Sequence, residues 1–406
     1  MIIERRPPRY PRRGPSCLFI LAALAGIFFG FLVILNAEQV RHTIIPTPTP
    51  EPTRSAAEFG LLAELSEQDG DLAEAIGYYE TAINLDPSRP ELYIRLISAL
   101  IRQGQPEKAL DYAGRATLLA SDRDDVWTAV ASAHIANGDR LVMMGDRAGA
   151  NLQYAEAYIA ALEATRINGQ NATAYALAAA GQVLQGDFAK LEEAQQLADT
   201  AIFLDGSNPY ARLYMGSVFT NYARYNEALE QYQLGIEANP NFADLYNALA
   251  YAYFATSRIP EAIVTFENTI RIDPNNATAY DGLAYMYIQL GVDADAIDNA
   301  LRAVELNPNM ARAYGRLGHA YFRQSNYPEA IEALETATAM YREPTSLNAL
   351  FFNRLAHSYL RSSTENCTTQ AMPIFEAVLQ VALPGSFEQS FAQEGLDECR
   401  RAIIQN

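Results

Sequence analysis

Histidine and cysteine are scarce in this sequence, with four His and three Cys among 406 residues. The His are scattered (His42, His134, His319, His357) and so are Cys17, Cys367 and Cys399, so no cluster has the spacing of a metal centre. His319 and His357 could approach each other, but two ligands without a third do not make a site. There is no glycine-rich phosphate loop and no nucleophile elbow, and nothing calls for a cofactor. The chain does not read as an enzyme. Basic charge is also short beyond the first sixteen residues. There five Arg against Glu4 give +4, so the remainder carries −22 of an overall −18. An acidic body of that size repels phosphate backbones, which argues against nucleic acid as a partner. Half of the chain is hydrophobic, with 24 Tyr, which excludes disorder over most of its length.

The basic segment 1–16 is followed by CLFILAALAGIFFGFLVIL, residues 17–35, which carries no charge and is long enough to span a bilayer as a helix. The run is long for a cleaved signal peptide and VILNA fits the small-x-small cleavage pattern poorly, so an uncleaved anchor is expected. With Arg concentrated before the span, the positive-inside bias leaves the N-terminus cytoplasmic and everything after residue 36 extracytoplasmic. Ala22, Gly26 and Gly30 recur at four-residue spacing, a stripe through which two such helices could pair. Residues 36–55 form a Pro/Thr-rich linker, with Pro at alternate positions from Pro46 to Pro52. Its stretch TIIPTPTPEPT, residues 43–53, is an extended spacer, reaching roughly 30 Å at about 3.1 Å per residue.

From residue 56 the chain repeats with a period of 34: Tyr246, Tyr280, Tyr314; Leu249, Leu283, Leu317; Ala250, Ala284, Gly318; Tyr253, Tyr287, Tyr321; Ala262, Ala296, Ala330; Pro240, Pro274, Pro308. The comb extends back to Phe59, Tyr93, Trp127 and to Gly70, Gly104, Gly138. Within each unit the apolar positions fall at helical spacing on both sides of a short polar break. Each unit therefore reads as two antiparallel helices closed by Asp-Pro or Asn-Pro. A lone helical hairpin cannot bury its apolar face, so the units must stack.

This pattern resembles the tetratricopeptide repeat family. Nine units begin near Ala56, Pro90, Asp124, Ala172, Pro209, Ala243, Ala277, Ala311 and Ala349. The resemblance implies an all-α, right-handed α-α superhelical solenoid over residues 56–385, capped by a final helix in 386–406 and preceded by one transmembrane helix. The third unit is about fourteen residues too long, in RLVMMGDRAGANLQ, enough for roughly two extra turns on each helix. That extension is expected to project beyond the solenoid, toward the membrane or a partner, or to stand as a solvated hairpin.

In the family's stacked fold the first helices line a concave groove. On one stripe of ARAYGRLGHAYFRQ lie Arg312, Arg316, His319 and Arg323, and the next unit places Arg354, His357 and Arg361 likewise. Arg offers a planar fork for carboxylates, so this end of the groove is expected to take an acidic or carboxylate-ended peptide. Earlier units put Asn247, Tyr251 and Phe254, then Asp281, Tyr285 and Gln289, on that stripe, a mixture of rings and amides suited to an extended polypeptide. Alternatively, the Arg pair with acidic residues of neighbouring helices and hold the stack together. The family's carboxylate-clamp subgroup uses Lys and Asn at set places; here Arg, Gly, His and Asn stand there in no matching order.

Cys367 and Cys399 could form a disulfide tying the final helix to the last repeat if the body is exported, or remain two buried thiols. The expected function is a membrane-anchored scaffold binding a protein or peptide on the extracytoplasmic side. A cytoplasmic-facing adaptor and a non-catalytic regulatory subunit of an envelope enzyme are the alternatives.

Overall fold

The computed structural model describes residues 17–35, 54–363 and 365–405. The expectations for segment 1–16 and for the linker up to residue 53 lie outside the described residues. Two compact units are present, Met1–Ser55 and Ala56–Asn406.

The first unit contributes α1 (Cys17–Leu35), an exposed apolar helix long enough to cross a membrane. Ala22, Gly26 and Gly30 lie on it, and a Cβ added at either glycine would meet no side chain within 4 Å.

The second unit is wholly helical among its described residues: α2 (Ala56–Gln68), α3 (Leu72–Leu85), α4 (Pro90–Arg102), α5 (Pro106–Leu119), α6 (Asp124–Met143), α7 (Arg147–Ile167), α8 (Ala172–Val183), α9 (Leu191–Leu204), α10 (Pro209–Asn221), α11 (Tyr225–Ala238), α12 (Ala243–Ala255), α13 (Ile259–Ile272), α14 (Ala277–Leu290), α15 (Asp293–Leu306), α16 (Ala311–Arg323), α17 (Tyr327–Tyr341), α18 (Ala349–Ser362), α19 (Met372–Val381) and α20 (Phe387–Gln405). Helices α2 to α19 form nine hairpins, whose first helices start at the nine positions marked by the repeat, and α20 closes the end. Local chemistry sets these boundaries. Asn208 and Asn276 cap their helices by accepting from Ala211 N–H (3.1 Å) and Ala279 N–H (3.0 Å). Pro240, Pro274 and Pro308 lie just past α11, α13 and α15, where they bar helix from the residue before them.

Packing follows the small-residue comb. Ala250 and Ala284 are fully buried, and a Cβ on Gly318 would collide with Leu334 of the partner helix. Phe266, fully buried, fills the place a side chain on Gly282 of the next unit would need. Between the paired helices of the first eight units the chain turns through a left-handed residue. This is Gly291 (φ 77°) in the seventh unit, but Ala223 (φ 58°), Ser257 (φ 62°) and Ser325 (φ 59°) at the same place in the fifth, sixth and eighth. Side chains with a Cβ pay conformational strain there.

The third unit departs most. Gly138, which the comb aligns with turn glycines, lies inside α6 against the Tyr154 ring, and the turn falls seven residues later at Gly145 (φ 86°). The fourteen extra residues are thus shared between α6 and α7, about two turns each. Their tip neither projects beyond the solenoid nor stands free in solvent. Met143 packs with Ala303, Val304, Met310 and Ala313, and the Asn307 amide reaches its sulfur at 3.4 Å. An added Cβ on Gly145 would lie 2.5 Å from the Tyr341 ring. The long hairpin is a strut joining the third repeat to the seventh and eighth, because its apolar tip is covered only by reaching them.

At the far end Cys367 and Cys399 form a disulfide, with Cα atoms 5.3 Å apart, between the π-helical turn Cys367–Ala371 and α20. Both cysteines lie in a core with Phe352, Phe375, Val378 and Leu396.

Candidate functional site

The strut tip and the C-terminal repeats enclose a cleft of about 540 Å³. One wall is Val142, Met143, Gly145 and Arg147; the floor carries Tyr285, Gln289, Arg312, Arg316 and His319; the remaining side is Tyr341, Phe351 and the loop around Leu347. The volume is typical of a site for a small ligand or a few peptide residues.

The cationic floor is built on one carboxylate. Asp281 is fully buried on α14, and its Oδ2 accepts from Arg312 Nε at 2.7 Å and from Arg316 at 2.6 Å. Arg316 also donates to the Asp281 carbonyl and lies over the Tyr285 ring, its guanidinium carbon 4.5 Å from the centroid. Oδ1 of Asp281 has no hydrogen-bond partner among the described residues. The Arg316 side chain is 9% exposed and the Arg312 side chain 38%, so Arg312 is the more accessible of the two arginines that line the cleft. Burial works against the charge on Arg312, but Asp281 outweighs it and holds the pKa above the ordinary arginine value. Two guanidinium groups against one carboxylate leave this floor one positive charge in excess.

His319, one turn on, is neutral at ordinary pH: burial, then Arg354 and Arg323, push its pKa down to about 3. It can meet a ligand by hydrogen bonding but not by charge.

The remaining basic residues are dispersed. Arg323 donates to Asp293 at 2.6 Å, and Arg361 forks onto Glu398 of α20 at 2.8 and 3.1 Å. Arg354 lies between Phe322 and Phe391, 4.7 and 4.6 Å from their centroids, and its Nε has no hydrogen-bond partner among the described residues. Burial, and then Arg323, lower its pKa to about 10, which leaves it charged. His357 is covered by α20: its Nε2 donates to the Phe391 carbonyl at 3.0 Å and its ring stacks on Phe391. Burial, partly opposed by that hydrogen bond, brings its pKa to about 4. The stripe of five Arg and two His expected at one groove end is therefore divided. The structure places Arg312, Arg316 and His319 in the cleft, Arg323 and Arg361 in ion pairs, and Arg354 and His357 among aromatic rings.

The earlier stripe is more enclosed than its polarity suggests. Asn247 is buried, donates to Asn276 Oδ1 at 3.2 Å, and leaves its own Oδ1 unpaired. Tyr251 packs edge-on against Phe266 with a buried hydroxyl that has no partner among the described residues, and Phe254 meets Tyr285 with centroids 5.0 Å apart. Tyr285 and Gln289 alone of this group line the cleft. Sequence reasoning missed Arg147, Tyr341, Phe351 and the loop around Leu347. The length of the third unit was the only signal, and it did not say where the tip would land.

Models of the tetratricopeptide repeat match residues 67–133, and again 223–277 and 284–346. The chain carries tetratricopeptide repeats. No curated protein sequence matches it. Among solved structures, this repeat protein is similar to the human IFIT1 dimer with PPP-AAAA, at 17% identity and a TM-score of 0.59, over 85% of this chain and 83% of that one. Yeast Tom70 is 15% identical with a TM-score of 0.44, over 86% and 96% of the two chains. The pilF protein of Pseudomonas aeruginosa is 19% identical with a TM-score of 0.47, over 56% and 100%. At these identities the likeness concerns the fold alone. Repeat proteins of this family generally bind protein partners.

Proposed function

We propose that this repeat protein is a non-catalytic scaffold, tethered to a membrane by α1, that captures a protein partner on the extracytoplasmic side. The cleft holds an extended segment by an acidic side chain or terminal carboxylate. The observation that carries this reading is the surplus guanidinium: Asp281 is shared by Arg312 and Arg316, and the more exposed Arg312 faces a cleft walled by Tyr285, Tyr341 and Phe351. A planar fork beside aromatic and apolar walls favours a carboxylate flanked by apolar side chains. The Cys367–Cys399 disulfide and the Arg-rich segment before α1 support an oxidising, extracytoplasmic setting.

The test uses the full chain in detergent against a peptide array printed twice, with free C-terminal carboxylates and with C-terminal amides. The expected result is enrichment of free-acid or Asp/Glu-containing peptides, lost in Arg312→Ala. Equal binding of the two forms, unaffected by that substitution, would refute the carboxylate reading. Protease accessibility of the repeat unit in sealed spheroplasts tests the topology, and protection until lysis would favour the cytoplasmic adaptor.

A further inference from the structure

A second cavity, of about 980 Å³, lies in the N-terminal part of the solenoid and shares no lining residue with the arginine cleft. Five first helices, α4, α6, α8, α10 and α12, contribute to it, together with the segment from Ile272 to Asn276. Its apolar surface comes from Ile94, Ile97 and Ile101 on α4 and from the Tyr210–Phe242 pair, whose rings meet edge to face with centroids 4.9 Å apart.

Its charge is the reverse of the other cleft. Asp125, Asp244 and Asp273 line it against a single cation, Arg102, which is already donated to Glu67 at 3.3 Å. Asp125 is held by Arg123 at 2.6 Å, whereas among the described residues Asp273 accepts only from the Asn275 backbone (3.1 Å) and the Asn276 amide (3.2 Å). Asp244 has no ion pair or side-chain hydrogen bond among the described residues, although it stands beside the aromatic pair in the cavity wall. Asp244 is solvent-exposed at the cavity wall, and the protein mass around it, together with Asp273, pushes its carboxyl above the usual range. Two neighbouring carboxylates without a counter-ion, next to aromatic rings, form the environment that a Lys or Arg side chain relieves, by charge and by stacking on the rings.

We infer that this cavity is a second binding site, for an extended polypeptide segment in which Lys or Arg alternates with apolar side chains. The isoleucine face of α4 takes the apolar residues, and Asp244, Asp273, Tyr210 and Phe242 take the cations. The site stands independently of the carboxylate reading of the other cleft. If both sites serve one partner, their opposite charges fix the direction in which its chain runs along the groove.

The probe is fluorescently labelled acetyl-LRLRLR-amide, with acetyl-LELELE-amide as its counterpart, titrated by anisotropy against the full chain in detergent. Because any cationic peptide is drawn to a chain of net charge −18, the comparison is between two variants of equal charge. One is Asp244→Asn with Asp273→Asn. The other is Glu192→Gln with Glu230→Gln, which removes two exposed carboxylates from the second helices α9 and α11. The expected result is a loss of about tenfold or more in affinity for the cavity variant and less than about twofold for the surface variant, with unchanged circular dichroism. Tyr210→Leu, which keeps every charge, is expected to weaken the same peptide. Equal losses in the two double variants, or comparable binding of the Glu peptide, would overturn the inference.

Discussion

Replacing Asp281 by Asn tests the centre of the candidate site. The substitution keeps the shape of the side chain and one acceptor oxygen but removes the charge that two arginines share. Taking one partner from a buried ion pair costs about 3–5 kcal/mol. Arg312 is partly solvated, with 38% of its side chain exposed, which screens its share of the loss. The expected cost is therefore at the low end, about 3 kcal/mol. A solenoid need not unfold in one step, so a single melting temperature would blur the effect. Hydrogen exchange of the α14 and α16 amides reads it locally. Where those amides exchange by local opening, protection should fall about a hundredfold, because about 1.4 kcal/mol corresponds to a factor of ten. The two arginines should also differ: Arg316→Gln, at 9% side-chain exposure, should cost more than Arg312→Gln. Protection in Asp281→Asn within about twofold of the parent, or equal effects of the two Arg substitutions, would refute the view that this carboxylate organises the cleft.

His357 has a folded pKa of about 4, below its ordinary value, so its contribution is complete above about pH 6.5 and is lost as the pH falls toward 4, by up to about 3 kcal/mol. Stability–pH curves of the parent and His357→Gln should converge across that window, and parallel curves would contradict the assignment. The disulfide closes a loop of sequence separation 32, for which chain entropy gives about 3–4 kcal/mol. Cys367→Ser with Cys399→Ser should release α20 to proteolysis first, and an unchanged cleavage pattern would argue against its role as the clasp. Ser257→Gly and Ser325→Gly relieve left-handed strain in their turns and should each stabilise the array by about 0.5–1 kcal/mol in chemical denaturation. A loss of stability on either change would mean that the side chain offsets its strain through another contact.

The division between sequence and tertiary structure follows the range of the interactions. Helix starts, proline stops and the small residues at helix crossings depend on neighbours within one repeat, so a 34-residue comb in Tyr, Leu, Ala and Pro displayed all of them. Even the anomalous third unit was legible in part, since fourteen extra residues must be shared between two antiparallel helices. Gly138 misled because the comb aligned it with turn glycines, whereas the turn moved to Gly145 and Gly138 became a seat for Tyr154. The arginine stripe was visible as a stripe, but whether each guanidinium met a ligand, a carboxylate or a ring depended on partners in other repeats. Asp281 lies 31 and 35 residues from its two arginines, and Glu398 lies 37 from Arg361 on a helix outside the repeat. The strut is the extreme case. Met143 reaches Asn307 across 164 residues, and that landing place is set by the superhelical path of the intervening repeats, each adding a rotation that no local pattern encodes. Sequence alone thus determined the repeat and its helices. The accumulated geometry of the stack decided that the third hairpin would close a cleft, and which arginines would face it.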